Sequence, residues 1–308
     1  MRLWTTGVFS RIILLMGFLG VSVSVQADLQ DGLFAYNNRI YVLAFKEFKP
    51  LAEKGEVQAQ FHLGLMYDYG LGTAKDDRAA VEWYRRAAEQ GDANAQVNLG
   101  AMYSKGEGVE QDLGEAMSWY QKAAAQNDAE GIYNVGWMYD NGMGVKQDHQ
   151  EALVWYHKAA GMGQVRAQFS LGWMYSNGQS VEQDYSVAMM WYRKAAEQGH
   201  AKAQYNLGRM YDKGLGVEFD THMVIQWYRR AAEQGYVAAQ FSLGLIYARN
   251  QGEPVDLVQA CKWFNLAATA HNETARIYME EFEKVMSSEQ IDNARIQARQ
   301  LQNMVVAL

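Results

Sequence analysis

The 308-residue chain has 28 basic and 35 acidic side chains, a formal net charge of −7, and one cysteine, Cys261. This acidic balance argues against nucleic acid as a ligand, because binding to nucleic acid depends on Lys and Arg that neutralise phosphates. A single cysteine cannot form an internal disulfide, so packing must hold the fold, and we expect a buried thiol rather than a reactive one.

Residues 1–27 have the pattern of a secretory signal peptide. Arg2 and Arg11 give a positive start, an apolar run follows over residues 12–25, and Val25-Gln26-Ala27 matches a cleavage site. We expect cleavage after Ala27, which would leave a periplasmic or secreted chain of net charge −9, since those two arginines are the only charged residues removed. An uncleaved N-terminal anchor is the alternative. No later apolar run is long enough for a membrane-spanning helix.

Residues 28–55 are predicted to form a partial, capping repeat. The stretch from Tyr41 to Gly55, with Ala44 and Phe48, resembles the second helix of the units that follow, and the first helix is degenerate.

A 36-residue period then keeps register six times over residues 56–271, and we number these units one to six. In unit one, Ala59, Leu63, Met66 and Tyr67 fall on one face of a predicted helix over 57–69, helix A. Gly70-Leu71-Gly72 ends it, and a second helix, helix B, is predicted over 77–90. A fixed period of this length is typical of stacked two-helix units and predicts an all-α solenoid.

Two recurring residue types have packing explanations. An aspartate precedes every helix B, which favours N-capping over a metal site: Asp76, Asp112, Asp148, Asp184, Asp220 and Asp256. The glycine in the middle of every helix A, such as Gly64, costs helix propensity, so we expect it to permit close approach of helix B.

The motif resembles the Sel1-like repeat (SLR) family, a relative of the tetratricopeptide repeat. The pattern is Ala-x-Ala-Gln-x-x-Leu-Gly-x-Met-Tyr, then Gly-x-Gly-Val, Asp, and Ala-x-x-Trp-Tyr-x-Lys-Ala-Ala-x-Gln-Gly, carried closely over residues 93–199. The resemblance implies a right-handed α/α solenoid in which the A helices line a concave side that binds proteins. Residues 272–308 are predicted to form a C-terminal helical cap of two helices, the second capped by a serine near Ser287.

Positions that vary between units while keeping helix spacing are the candidates for binding. Trp137, Trp173 and Arg209 share one column, and tryptophan and arginine dominate binding hot spots. Tyr133 and Tyr205 belong to a second column, which packing between repeats explains equally. A third column holds Asn98, Asn134 and Asn206, which could bind a peptide backbone or only bond neighbouring helices.

The predicted function is therefore that of an envelope or secreted adaptor that binds a protein or peptide on the concave surface. Glycan binding is the alternative, because Trp137 and Trp173 could stack on sugar rings. Some cysteine-rich relatives are linked with β-lactams, but this chain lacks their cysteine pairs and a Ser-x-x-Lys motif. We expect no enzymatic activity, no cofactor and no metal.

Overall fold

The computed structural model describes residues 28–249 and 255–306, and within these ranges it is an all-α solenoid. The predicted leader, residues 1–27, lies outside the described residues. The first pair of helices is α1 (Leu29–Asn37) and α2 (Tyr41–Glu53). None of the helices that the structure describes is both long enough and apolar enough to cross a membrane.

Six helix pairs follow, each an A helix and a B helix of 12 or 13 residues. They are α3 (Val57–Tyr69) and α4 (Asp77–Glu89), α5 (Ala93–Lys105) and α6 (Leu113–Ala125), α7 (Ala129–Asn141) and α8 (His149–Gly161), α9 (Val165–Asn177) and α10 (Tyr185–Glu197), α11 (Ala201–Lys213) and α12 (Thr221–Glu233), and α13 (Val237–Ala248) and α14 (Leu257–Thr269). The predicted bounds of helices A and B in unit one are confirmed to within one residue.

The chain ends with α15 (Glu273–Glu283) and α16 (Ser288–Val306). Ser287 and Gln290 bond reciprocally at the start of α16, since each backbone N–H donates to the other side chain, as in a capping box. Successive helices from α1 to α15 pack in chain order, while α16 packs against α14.

The predicted N-caps are confirmed in all six units. The carboxylate of Asp148, for example, accepts hydrogen bonds from the backbone N–H groups of Gln150 and Glu151. Each A helix of units one to five ends at a left-handed glycine, such as Gly70 with φ 66°. These two devices fix where each helix starts and stops.

The expected role of the central glycine is also confirmed. A Cβ added at Gly64 would lie 2.5 Å from Cδ1 of Tyr84, so only glycine lets this tyrosine of helix B reach the backbone of helix A. Gly32 meets Phe48 in the same way at 2.6 Å, which shows that α1 is a true helix A whose link to helix B is shorter. Cys261 is buried as expected, 2% exposed.

Candidate functional site

The candidate residues lie on one face of the A helices, which we call the A face. It consists of the second, fifth, sixth, ninth, twelfth and thirteenth positions counted from the start of each A helix, which share one side at 3.6 residues per turn; in unit six the thirteenth position is Arg249, directly after the end of α13. The A faces of successive units are in direct contact. The Arg166 guanidinium, on α9, lies 4.4 Å from the ring centre of Tyr133 on α7 and also forms an ion pair with Glu130. The A face is therefore one continuous surface.

Trp137 and Trp173 occupy the ninth position of α7 and α9. Trp173 is 42% exposed, while Trp137 is half-buried against neighbouring core residues. By contrast, the recurring tryptophans of the B helices fill space between units, and Trp119, Trp191, Trp227 and Trp263 are all 8% exposed or less. Trp173 is thus a large aromatic side chain with much of its surface in solvent.

Arg209 occupies the same column in α11 and is exposed. It forms no ion pair with any residue that the structure describes. Burial raises the pKa of Tyr192. Hydrogen bonding with Ser176 and Asn206 and the positive charge of the nearby Arg209 offset part of that rise. Arg209 is thus an exposed positive charge on the A face.

Tyr133 and Tyr205 have a clear packing role. Tyr133 stacks on Tyr156 with ring centres 5.6 Å apart, and Tyr205 stacks on Tyr228 at 5.3 Å. Both residues are half-buried. Each stack joins helix A to helix B of the same unit, so this column packs within a unit, whereas the packing interpretation places it between repeats.

The asparagine column also contacts helix B. Burial raises the pKa of Tyr84, and a hydrogen bond with Asn98 offsets part of the rise; Asn206 has the same relation to Tyr192. Asn134 occupies the equivalent position in α7 and is half-buried. The amides of Asn98 and Asn206 therefore lie near a helix B tyrosine of the preceding unit.

Charge is unevenly distributed along the A face, which the sequence analysis missed. Units one to three contribute three acidic residues and one basic residue, whereas units four to six contribute five basic residues and one acidic residue. The acidic set is Asp68, Glu130, Asp140 and Asp212, and the basic set is Lys105, Arg166, Lys202, Arg209, Lys213 and Arg249. Reading all six positions of the A face together, rather than one column at a time, would have revealed it.

The chain is similar to known repeat proteins over most of its length. The family model described as Sel1 repeat matches six consecutive segments: 57–92, 93–128, 129–164, 165–200, 201–236 and 237–272. The crystal structure of a Sel1 repeat protein from Oxalobacter formigenes is 36% identical and has a TM-score of 0.75; the match covers 79% of this chain and 100% of that one.

A second solved structure is c5321, described as a protective antigen present in uropathogenic Escherichia coli strains and displaying an SLR fold. It is 33% identical with a TM-score of 0.68, and the match covers 89% of this chain and 60% of that one. No curated protein matches the chain.

Proposed function

The chain belongs to the Sel1 repeat family, and from that membership we propose that it is a scaffold whose A face forms the concave side of the solenoid and binds a partner protein there. Sel1 and tetratricopeptide-like repeats commonly serve protein interaction, and the family is typically non-catalytic. The A face would bind an extended segment of the partner.

The observation that carries this proposal is the exposed Trp173 beside Trp137. An aromatic ring that is 42% exposed on a continuous surface is favourable to bury on binding, because its large apolar area leaves water at a small cost in side-chain entropy. Arg209, one unit further along the same column, adds a charged donor with no competing ion pair among the described residues.

Packing holds the A face in place before a partner arrives. Stacked tyrosines and the contact of Arg166 with Tyr133 fix these helices relative to one another. Binding to a preformed surface loses little conformational entropy in the scaffold.

We also propose that the protein acts in the periplasm or outside the cell after residues 1–27 are removed, with residues 28–55 and 272–308 as the end caps of the solenoid. N-terminal sequencing of the protein recovered from the expressing cell tests the first point. A chain that starts at Asp28 is expected, and a membrane-bound chain that keeps residues 1–27 would contradict it.

Affinity capture from envelope and secreted fractions tests the binding proposal. The bait is the full-length gene product, compared with a Trp137→Ala/Trp173→Ala variant. Val154→Ala/Met190→Ala is the matched control, because these residues are 63% and 44% exposed and lie on the B helices of the same two units. Circular dichroism confirms that each variant is folded.

A protein retained by the wild type and by the control, but lost by the tryptophan variant, is the expected result. A protein that only the control variant fails to retain would indicate that the binding site lies on the B helices. If no protein is retained, a glycan array tests the alternative that Trp173 stacks on sugar rings, and a nitrocefin assay tests β-lactam hydrolysis.

A further inference from the structure

At Phe219, the loop between α11 and α12 departs from the loops of units two to four. In units two to four the equivalent residue is a glutamine whose side-chain amide donates to a backbone carbonyl near the end of helix A. These bonds run from Gln111 to Ser104, from Gln147 to Asp140 and from Gln183 to Ser176, at 2.7–2.8 Å. Phe219 cannot donate such a bond, and its side chain is 61% exposed. Unit five thus lacks a structural bond and has an exposed aromatic ring instead.

The same loop is more open than its counterparts. In units two to four, a Cβ added at the glycine that ends helix A would lie 3.0–3.3 Å from Cβ of that glutamine, whereas at Gly214 it would meet only the carbonyl of Val217, at 3.6 Å. The backbone bond from the capping aspartate to a helix A tyrosine, seen for Asp184 and Tyr175 at 3.0 Å, has no counterpart between Asp220 and Tyr211, both in the described range.

The opening leaves a cavity of about 610 Å³ between α11, α12 and α13. Its lining combines apolar side chains (Phe219, Leu245 and Ile246) with two cations (Lys213 and Arg249). The remaining lining residues are polar or acidic: Asp212, Thr221, Tyr228 and Ser242. Lys213 is paired only with its neighbour Asp212, at 3.4 Å, and remains 63% exposed. Arg249 is exposed and forms no ion pair within residues 28–249 and 255–306.

The side chains that line this cavity include more cations than carboxylates. Lys213 and Arg249 outnumber Asp212, while Glu218 and Asp220 flank Phe219 along the loop without lining the cavity. A cationic lining favours an anionic ligand, and the apolar wall favours one with a large side chain next to its charge.

We propose that this cavity binds an Asp or Glu side chain of the partner together with an adjoining large apolar residue. The carboxylate would lie between Lys213 and Arg249, and the apolar side chain would pack against Phe219 and Leu245. This inference rests on the proposed function, because it assigns one end of the partner segment: its acidic part lies at units five and six.

Blocked dipeptides test this chemistry directly. The full-length gene product, labelled with ¹⁵N, is titrated with N-acetyl-Glu-Phe-amide, with the neutral isostere N-acetyl-Gln-Phe-amide, and with N-acetyl-Gln-Phe that has a free C-terminal carboxylate. The glutamate peptide should shift the backbone amides of residues 214–220 and 245–249, with a dissociation constant on the order of millimolar, as expected for a small fragment. The neutral peptide should bind at least tenfold more weakly.

Two variants make the test specific. Phe219→Gln restores the residue of units two to four, so it should raise Tm while abolishing the shifts. Arg249→Gln should reduce binding of the glutamate peptide to the level of the neutral one. Raised salt should weaken binding, because the contact is electrostatic.

Equal binding of the charged and neutral peptides would overturn the inference, and so would tighter binding of the free C-terminal carboxylate or shifts confined to the region of Trp173. The proposed function is tested separately by the tryptophan variant. Partner capture that depends on Trp137 and Trp173 but is unaffected by Phe219→Gln would leave that function standing and reject this pocket.

Discussion

The glycine at the centre of each helix A has no side chain, and this determines how closely the two helices of a unit approach. Gly172 is representative: a Cβ at this position would lie 2.6 Å from Cδ1 of Tyr192, which is 3% exposed. The ring is enclosed by other side chains and cannot move aside. Close packing thus outweighs the helix propensity that glycine loses, about 1 kcal/mol.

We predict that Gly172→Ala lowers the free energy of unfolding by about 2 kcal/mol, since a 2.6 Å contact places overpacking near the upper end of its usual range of roughly 1–3 kcal/mol and the gain in propensity offsets about 1 kcal/mol. Gly161→Ala is the control, because a Cβ there would meet nothing within 4 Å. Chemical denaturation measures both. A Gly172→Ala protein as stable as the wild type would show that the helices separate without penalty.

His62 makes the first unit sensitive to pH. Its ring stacks on Phe48, with ring centres 5.0 Å apart, and burial lowers its pKa, partly offset by Asp92. Burial also lowers the pKa of His157 and of His200. Because the folded pKa lies below the ordinary value of 6.5, these neutral rings stabilise the fold above pH 6.5, and this contribution is lost as the pH falls below it.

We therefore predict that the Tm of the wild-type protein decreases as the pH falls from 7.5 to 5.5. The Tm of the His62→Asn variant should decrease less over the same range. Asparagine is the residue found at this position in units two, three and five, so the variant should fold. The chosen range lies above the ordinary titration range of carboxylates, and the comparison of the two proteins cancels the contribution of Asp68, whose pKa is raised by burial. A drop in Tm of the same size in both proteins would exclude His62 as a cause.

At the scale of helices, a ladder of buried glutamines joins one unit to the next. The amide of Gln60 donates to the carbonyl of Ala52 at 3.1 Å, and its oxygen accepts a bond from Gln90 at 2.7 Å. The same pairs recur as Gln96 with Gln126, Gln168 with Gln198, and Gln204 with Gln234. Each pair satisfies an amide that is almost fully buried.

In unit three the ladder is interrupted, and both partners change together. Unit three has Ile132 and Met162 at the two glutamine positions, so an apolar pair replaces a polar one. At the last unit, residue 270 is alanine, and the buried side-chain oxygen of Gln240 has no partner among the described residues.

A double-mutant cycle tests the ladder. Ile132→Gln should destabilise by about 1–3 kcal/mol, because a buried amide oxygen would lack its donor. Met162→Gln alone should have little effect, since Met162 is 48% exposed. The double variant should recover about 1 kcal/mol relative to Ile132→Gln. Strict additivity of the two effects would contradict a direct bond.

The repeat period was enough to predict the elements within a unit, because caps, glycines and apolar faces act over short distances along the chain. Helix bounds at 57–69 and the cap at Asp76 follow from local pattern alone. The contact between Gln60 and Gln90 depends on how the two helices of a unit pack together, and a 30-residue separation gives no local signal. Phe219 was missed because one aromatic residue in a loop is unremarkable until the bond it replaces is known.

For the candidate site, the columns were predictable and their surroundings were not. Helical spacing placed Trp137, Trp173 and Arg209 on one face. It could not show that Tyr133 and Tyr205 would stack on tyrosines of helix B, because that depends on the distance between the helices.

Across the whole molecule, the A face is a continuous surface whose two ends carry opposite charge. Acidic residues predominate in units one to three and basic residues in units four to six, and the exposed Trp173 lies between the two ends. A partner segment with one acidic end would therefore bind in one orientation, because the reverse orientation places like charges together.

Site-specific photo-crosslinking in the cell tests most directly whether the A face binds a protein. A benzophenone amino acid replaces Trp173 on the A helix of unit four or Met190 on the B helix of the same unit; the native side chains are 42% and 44% exposed. We predict a crosslinked protein partner from position 173 and none from position 190. A partner crosslinked from position 190, with none from position 173, would contradict the account.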